Sequence, residues 1–198
     1  MSIEKRVLGI DYGSKMAGTT VVAYMAEGQV NFRASEKKRD ADVLILRLAD
    51  ELKPDLIAID APLSLPGVYT GLPGCDDYFY RECDRLTRAM SPMFLGGLTA
   101  RAMKLTARLR DSGIEVIEAY PMKAGKNLGL TDFGYRQKQP DQVKLFGLLY
   151  SKTGIDLRNQ ARLSGHHIDA AIALFIAQQY ESGTANTLGN LNEGLIYY

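Results

Sequence analysis

The chain has 198 residues, 46% of them hydrophobic and 24% charged, which is the size and composition of one ordinary globular domain and would cramp a two-domain enzyme. No apolar run approaches a membrane span, and the opening Met1-Ser2-Ile3-Glu4-Lys5-Arg6 leads into a strand without the apolar core of a signal peptide, so a soluble, cytoplasmic protein is expected. A formal net charge of +1 gives no global pull toward nucleic acid, and Cys75 and Cys83, without a CxxC or a His cluster beside them, read as reduced thiols and suggest neither zinc nor a disulfide framework.

In chain order, Arg6 to Asp11 reads as a buried strand, Gly13-Ser14-Lys15 as a turn and Thr19 to Tyr24 as a second strand rich in β-branched residues. Glu27-Gly28 turns into a third strand, Val30 to Ala34, completing an antiparallel meander. A helix follows, capped by Asp40 or Asp42, with Ile45, Leu48, Ala49 and Leu52 at helical spacing and Pro54 as its stop. It leads to a fourth strand, Leu56 to Asp60, parallel to the first. A Pro/Gly-rich loop from Ala61 to Gly74 precedes two helices. The first should bury Phe79, Cys83, Leu86 and Met90 and line another face with Arg81, Arg85 and Arg88. The second should bury Leu98, Ala102, Leu105 and Leu109 and turn Arg101, Lys104 and Arg108 outward.

Ser112-Gly113 ends that pair and a strand reaching Glu118 begins. A helix is expected near Gln142 to Ser151, and a last one with Ile168, Ala171, Ile172, Phe175 and Ile176 inward, followed by a Gly/Asn-rich tail read as loop. The whole is an α/β fold in one domain, 1–198: a mixed five-stranded sheet, antiparallel and then parallel, with helices on both faces and a helical insertion at about 62–112 after strand four.

Four times an apolar stretch runs into isoleucine and then an acid: Ile10-Asp11, Ile59-Asp60, Ile117-Glu118 and Ile168-Asp169. Ile3-Glu4, Ile114-Glu115 and Ile155-Asp156 repeat the dipeptide without the hydrophobic approach, and any one acid alone reads equally as a solvated strand end or helix first-turn residue. The set says more than its members. Carboxylates at the edge of an apolar core need neutralising, and a hard divalent cation does so through several oxygens at once. Asp11 and Asp60 at matching ends of neighbouring strands would share one cation, with Glu118 or Asp169 completing a second site about 3.5–4 Å away.

Other signals are more open. Asp77 with Arg81 and Asp84 with Arg88 stand at i,i+4, the pattern of a solvated helix face. Arg101, Lys104, Arg108 and Arg110 have no intervening acid, which favours phosphate contacts. Tyr69, Tyr78, Phe79 and Tyr80 offer either a stacking surface or core. His167 is either a proton shuttle or a helix-start cap.

The stretch Gly9-Ile10-Asp11-Tyr12-Gly13-Ser14-Lys15-Met16-Ala17-Gly18 resembles the first-strand signature of ribonuclease H-like proteins, among them the Holliday-junction resolvase-like group. With Ala58-Ile59-Asp60-Ala61-Pro62-Leu63, Arg81-Glu82-Cys83-Asp84-Arg85, Glu118-Ala119-Tyr120-Pro121, Asp169-Ala170-Ala171 and Glu193-Gly194-Leu195-Ile196, nearly the whole chain resembles domain of unknown function family 429, predicted nucleases with a ribonuclease H-like fold. The resemblance implies Asp11, Asp60, Glu118 and Asp169 as the acidic set and Arg81 and Asp84 as accessory site residues. His166 and His167 are a departure, standing where relatives often carry acids.

The expected activity is hydrolysis of nucleic-acid phosphodiesters with Mg²⁺ or Mn²⁺, two ions being present with substrate. Asp11 would bridge them, Asp60 and Asp169 would each favour one, Glu118 would be a ligand or outer base, and Lys15 or Arg81 would hold the phosphate. The alternatives are an actin-like nucleotide-binding phosphotransferase or ATPase, which Asp11-Tyr12-Gly13 allows but which needs a second copy of the domain, and a non-catalytic binding module. DNA versus RNA stays open, as does the oligomeric state, a homodimer included.

Overall fold

The computed structural model describes residues 5–160 and 163–198. Residues 1–4, read from sequence as the lead into the first strand, lie outside the described residues, as do 161–162.

The meander forms as its alternation dictates. β1 (Val7–Asp11) pairs antiparallel with β2 (Val21–Ala26), which pairs antiparallel with β3 (Gln29–Ala34). α1 (Ala41–Leu52) is capped by Asp40, whose side chain accepts the Asp42 N–H, and ends at Lys53 in the left-handed region just before Pro54. The crossover returns β4 (Leu56–Asp60) parallel to β1, and β5 (Glu115–Glu118) lies parallel to β4, giving the order β3-β2-β1-β4-β5. This is the mixed five-stranded sheet, antiparallel and then parallel, that the ribonuclease H-like resemblance leads one to expect.

Between β4 and β5 lie a 3₁₀ turn (Gly67–Thr70), two short helices, α2 (Glu82–Thr87) and α3 (Pro92–Leu95), and the long α4 (Gly97–Asp111). After β5 come α5 (Pro121–Asn127), a 3₁₀ turn (Leu130–Phe133), α6 (Gln142–Thr153) and α7 (Gly165–Glu181). Helices cover both faces. One core joins α1 and α4 to Leu8, Ile10, Ile57 and Ile59; the other joins α5, α6 and α7 to Val21, Ala23, Leu56 and Ala58.

Three details depart from the sequence reading. α7 is buried on nearly every side, Ala170, Ala173, Leu174 and Ala177 included, whereas Phe175 is only partly covered. The tail read as loop forms a hairpin, β6 (Thr187–Asn190) and β7 (Gly194–Tyr197), and β7 docks by a parallel bridge between Tyr197 and Ala119. Four-residue strands interrupted by glycine carry too little alternation to be read from sequence.

The expected amphipathic helix over Phe79 to Met90 shrinks to α2, with Cys83 buried and Arg85 and Arg88 exposed as expected but four other positions reversed. Phe79, Leu86 and Met90 are exposed, while Arg81 is wholly buried. Asp77 pairs with Arg85, and Asp84 pairs with Arg81, so neither expected i,i+4 pair forms.

Candidate metal centre

β1 and β4 are in register so that Asp11 stands opposite Asp60. Paired residues of neighbouring strands point to the same face, so both carboxylates leave the sheet on the side covered by α7, while Ile10 and Ile59 point into the α1 and α4 core. α7 brings the third acid. A Cβ on Gly9 would come within 2.0 Å of the Leu174 backbone N and 2.4 Å of the Ala170 carbonyl O, so only glycine lets the helix backbone lie directly on β1. Asp169, the residue before Ala170, thereby reaches the end of β1, and carboxylate oxygens of Asp11, Asp60 and Asp169 all fall within 4.8 Å of one another.

Glu118 is not brought into this group. It lies opposite Ile59, one position short of Asp60, and that single step turns it to the other face of the sheet. There it is consumed by Arg81, whose Nη1 and Nη2 each donate to a Glu118 oxygen at 2.7 Å. Arg81 Nε and Nη2 also donate to the two oxygens of Asp84, and Nη1 donates to Ser64. The guanidinium is held charged because these partners outweigh the burial that would otherwise lower its pKa. Arg81 and Asp84, expected as substrate contacts, are thus a buried clamp that ties the insertion to β5.

The three aspartates carry more negative charge than their surroundings cancel. Burial chiefly, and the Asp169 charge next, push Asp11 up to about 8, with Arg136 opposing. Asp60 is raised well above the usual carboxylate range by burial and by the other two acids. Asp169 is raised by burial against the pull of Arg136, Tyr135 and His166. Hard oxygen donors in this number, mutually repelling and short of cations, fit a divalent ion.

Of the groups that meet the acids, Arg136 and Tyr135 were not identified from sequence, and His166 was noted there only as a departure from the acids of relatives. Arg136 Nη2 donates to Asp169 at 2.8 Å and stands 3.9 Å from Asp60, and the Tyr135 hydroxyl donates to Asp169. Arg136 has φ 64 in a turn after Gly134, a conformation costing about 1–3 kcal/mol for a side-chain-bearing residue and held here by its ion pair. Gly125 on α5 leaves space for the Tyr135 ring, which a Cβ would meet at 2.4 Å. The only sequence signal was a Gly-Tyr-Arg turn with no apolar pattern around it. His166 Nδ1 lies 2.7 Å from Asp11, whereas His167, singled out from sequence, accepts from the N–H of Ser164, the N-cap of α7, and closes a capping box there.

The remaining predicted contacts divide. Lys15 pairs with Asp40 at 3.0 Å. Arg101 is not free of acids: it makes two hydrogen bonds to Asp42, stacks 4.9 Å from the Tyr12 ring and donates to the Gly13 carbonyl, so it braces the loop leaving Asp11. Asp42 comes from α1 and is invisible to a reading of helix spacing alone. Lys104 and Arg108 are exposed and make no ion pair among the described residues. Of the decoy acids, Glu4 lies outside the described residues, Glu115 accepts from Tyr180 and Asp156 pairs with Arg158.

No protein-family model matches the chain, and no curated protein does. Among solved structures it is similar to Thermus thermophilus RuvC, at 14% identity and TM-score 0.43 over 90% of this chain and 97% of that one. It is also similar to T. thermophilus RuvC in complex with Holliday junction substrate, at 17% identity and TM-score 0.46 over 93% of this chain and all of the other. No helix among the described residues is long and apolar enough to cross a membrane.

Proposed function

We propose that the protein is a Mg²⁺- or Mn²⁺-dependent nuclease that hydrolyses phosphodiester bonds of a nucleic acid, and that it belongs with the predicted nucleases its motifs resemble. The observation that carries this reading is the convergence of Asp11, Asp60 and Asp169 from two neighbouring parallel strands and a helix at the carboxyl ends of those strands, where open α/β sheets place ligands.

Asp11, Asp60 and Asp169 would hold the ions. When bound, such ions supply Lewis acidity for in-line displacement at phosphorus. Arg136 balances Asp169 and Asp60 and offers guanidinium N–H groups to a phosphate oxygen once those acids are otherwise neutralised. His166, on Asp11, is placed to give or take a proton at its imidazole. Lys104 and Arg108 supply exposed charge for the polymer backbone.

A cleavage screen with Mn²⁺ over single strands, duplexes and branched DNA and RNA tests this directly. At least one class should be cut by wild type and by none of Asp11→Asn, Asp60→Asn or Asp169→Asn. Cutting that survives all three substitutions, or no cutting of any class, removes the reading.

A further inference from the structure

A cavity of about 430 Å³ opens on the three aspartates. Its apolar lining includes Leu95 and Leu98, from between β4 and β5, together with Met90 and Met122, the two methionines 62% and 47% exposed. Asp84 and Glu118 also line it, and both are paired with the single Arg81 guanidinium, which offsets one of their two charges. The volume falls in the range of small-ligand sites, roughly 300–1,000 Å³.

Resting on the nuclease reading, we propose that this chamber receives the base of the nucleotide whose phosphate lies at the aspartates, so that the substrate is a single-stranded or locally unpaired polynucleotide. A polynucleotide has one apolar surface within a sugar's length of its phosphate, and that is the face of the base. In an intact duplex this face is covered by its neighbours, and only phosphates and groove edges reach a protein wall. An apolar-lined chamber beside acids that would hold a phosphate through their cations is therefore matched by an unstacked base and left unfilled by a stacked one.

The wall chemistry agrees with that occupant. Thioethers adapt to a flat aromatic ring and make favourable sulfur contacts with it. Among the described residues Glu118 Oε1 accepts one hydrogen bond, from Arg81, and a carboxylate oxygen so engaged has a second lone pair to offer an N–H on a base edge. Arg136 lines the same cavity, near the end where the phosphate would lie.

The test uses a short single strand carrying one 2-aminopurine, whose emission is quenched by stacking, titrated with full-length protein in Ca²⁺, an oxygen-seeking ion. Emission should rise severalfold with wild type, and the affinity read from that signal should fall about tenfold in the Met90→Ala/Met122→Ala double variant. Both methionines are exposed, so the double variant should fold; Leu98→Phe, which narrows the chamber from within, should act in the same direction. The same strand annealed into a full duplex should give no rise. Emission that stays flat, or that rises equally in the methionine variant, overturns the proposal. So does competition by free 2-aminopurine deoxynucleoside monophosphate as strong as that of the strand, which would make the chamber a small-nucleotide site. The nuclease reading fails separately, when no strand is cut in Mn²⁺ even though emission rises.

Discussion

With its carboxyl pushed up to about 8 by burial and by Asp169, Asp11 keeps in the folded protein a proton that an unfolded chain has already released near its ordinary value of 3.8. Asp60 and Asp169 are displaced the same way. A folded pKa above the unfolded one means that stability falls as pH rises between the two values and that the loss is complete above the folded one. In the absence of divalent ions, the unfolding free energy should therefore decline from roughly pH 4 to pH 8, by up to about 1.4 kcal/mol per pH unit for each proton involved. Asp11→Asn should flatten this slope, and saturating Mg²⁺ should oppose it by binding the folded state alone. Denaturant unfolding at several pH values in EDTA reads the effect, and a wild-type slope equal to that of the variant counts against an uncompensated cluster. Glu118 gives an independent check. Glu118→Gln should keep the cation-dependent rise in Tm and lose about 3 kcal/mol of stability through the weakened Arg81 clamp, whereas Asp169→Asn should abolish the rise. The opposite assignment would return Glu118 to the metal set.

At the scale of elements, the centre depends on how closely α7 lies on β1. Gly9 sets that distance, and from sequence it was only one member of an apolar run, because a glycine's reason for being small resides in the residue packed over it, here Ala170 and Leu174. Gly9→Val should destabilise by about 3 kcal/mol or more through overpacking and should also abolish the Mg²⁺-dependent shift in Tm, since the displaced helix carries Asp169 away. A variant with normal cation response would show that the helix position does not control the site. The strands that deliver Asp11 and Asp60 were legible because apolar runs ending in an acid mark both their length and their end. The parity of Glu118 was not, since register between β4 and β5 is fixed by pairing partners and not by the dipeptide. Arg81 was misread for a related reason: its distant partner Glu118 lies 37 residues away in sequence, on another element.

Across the whole molecule, the sheet order and the helices on both faces followed from the alternation of strand and helix periods, whereas the C-terminal hairpin and the turn bearing Tyr135 and Arg136 rest on tertiary contacts that no local period encodes. The same distinction sorts the basic face of α4. Arg101 is engaged with Asp42, Tyr12 and Gly13, so Arg101→Ala should cost about 1.5–3 kcal/mol of stability and disturb the loop after Asp11. Lys104 and Arg108 carry exposed charge with no ion pair among the described residues, so their replacement should leave stability nearly unchanged. If the substrate is a polymer that runs over this face, each of those two substitutions should weaken binding by similar factors across sequences and lower the slope of log affinity against log salt by about 0.7–0.9. Salt titrations of one labelled strand against wild type and the two single variants separate the cases. An unchanged slope in both variants moves the strand's path off α4, and a flat wild-type slope argues that the aspartates serve a substrate carrying too few phosphates to be a polynucleotide.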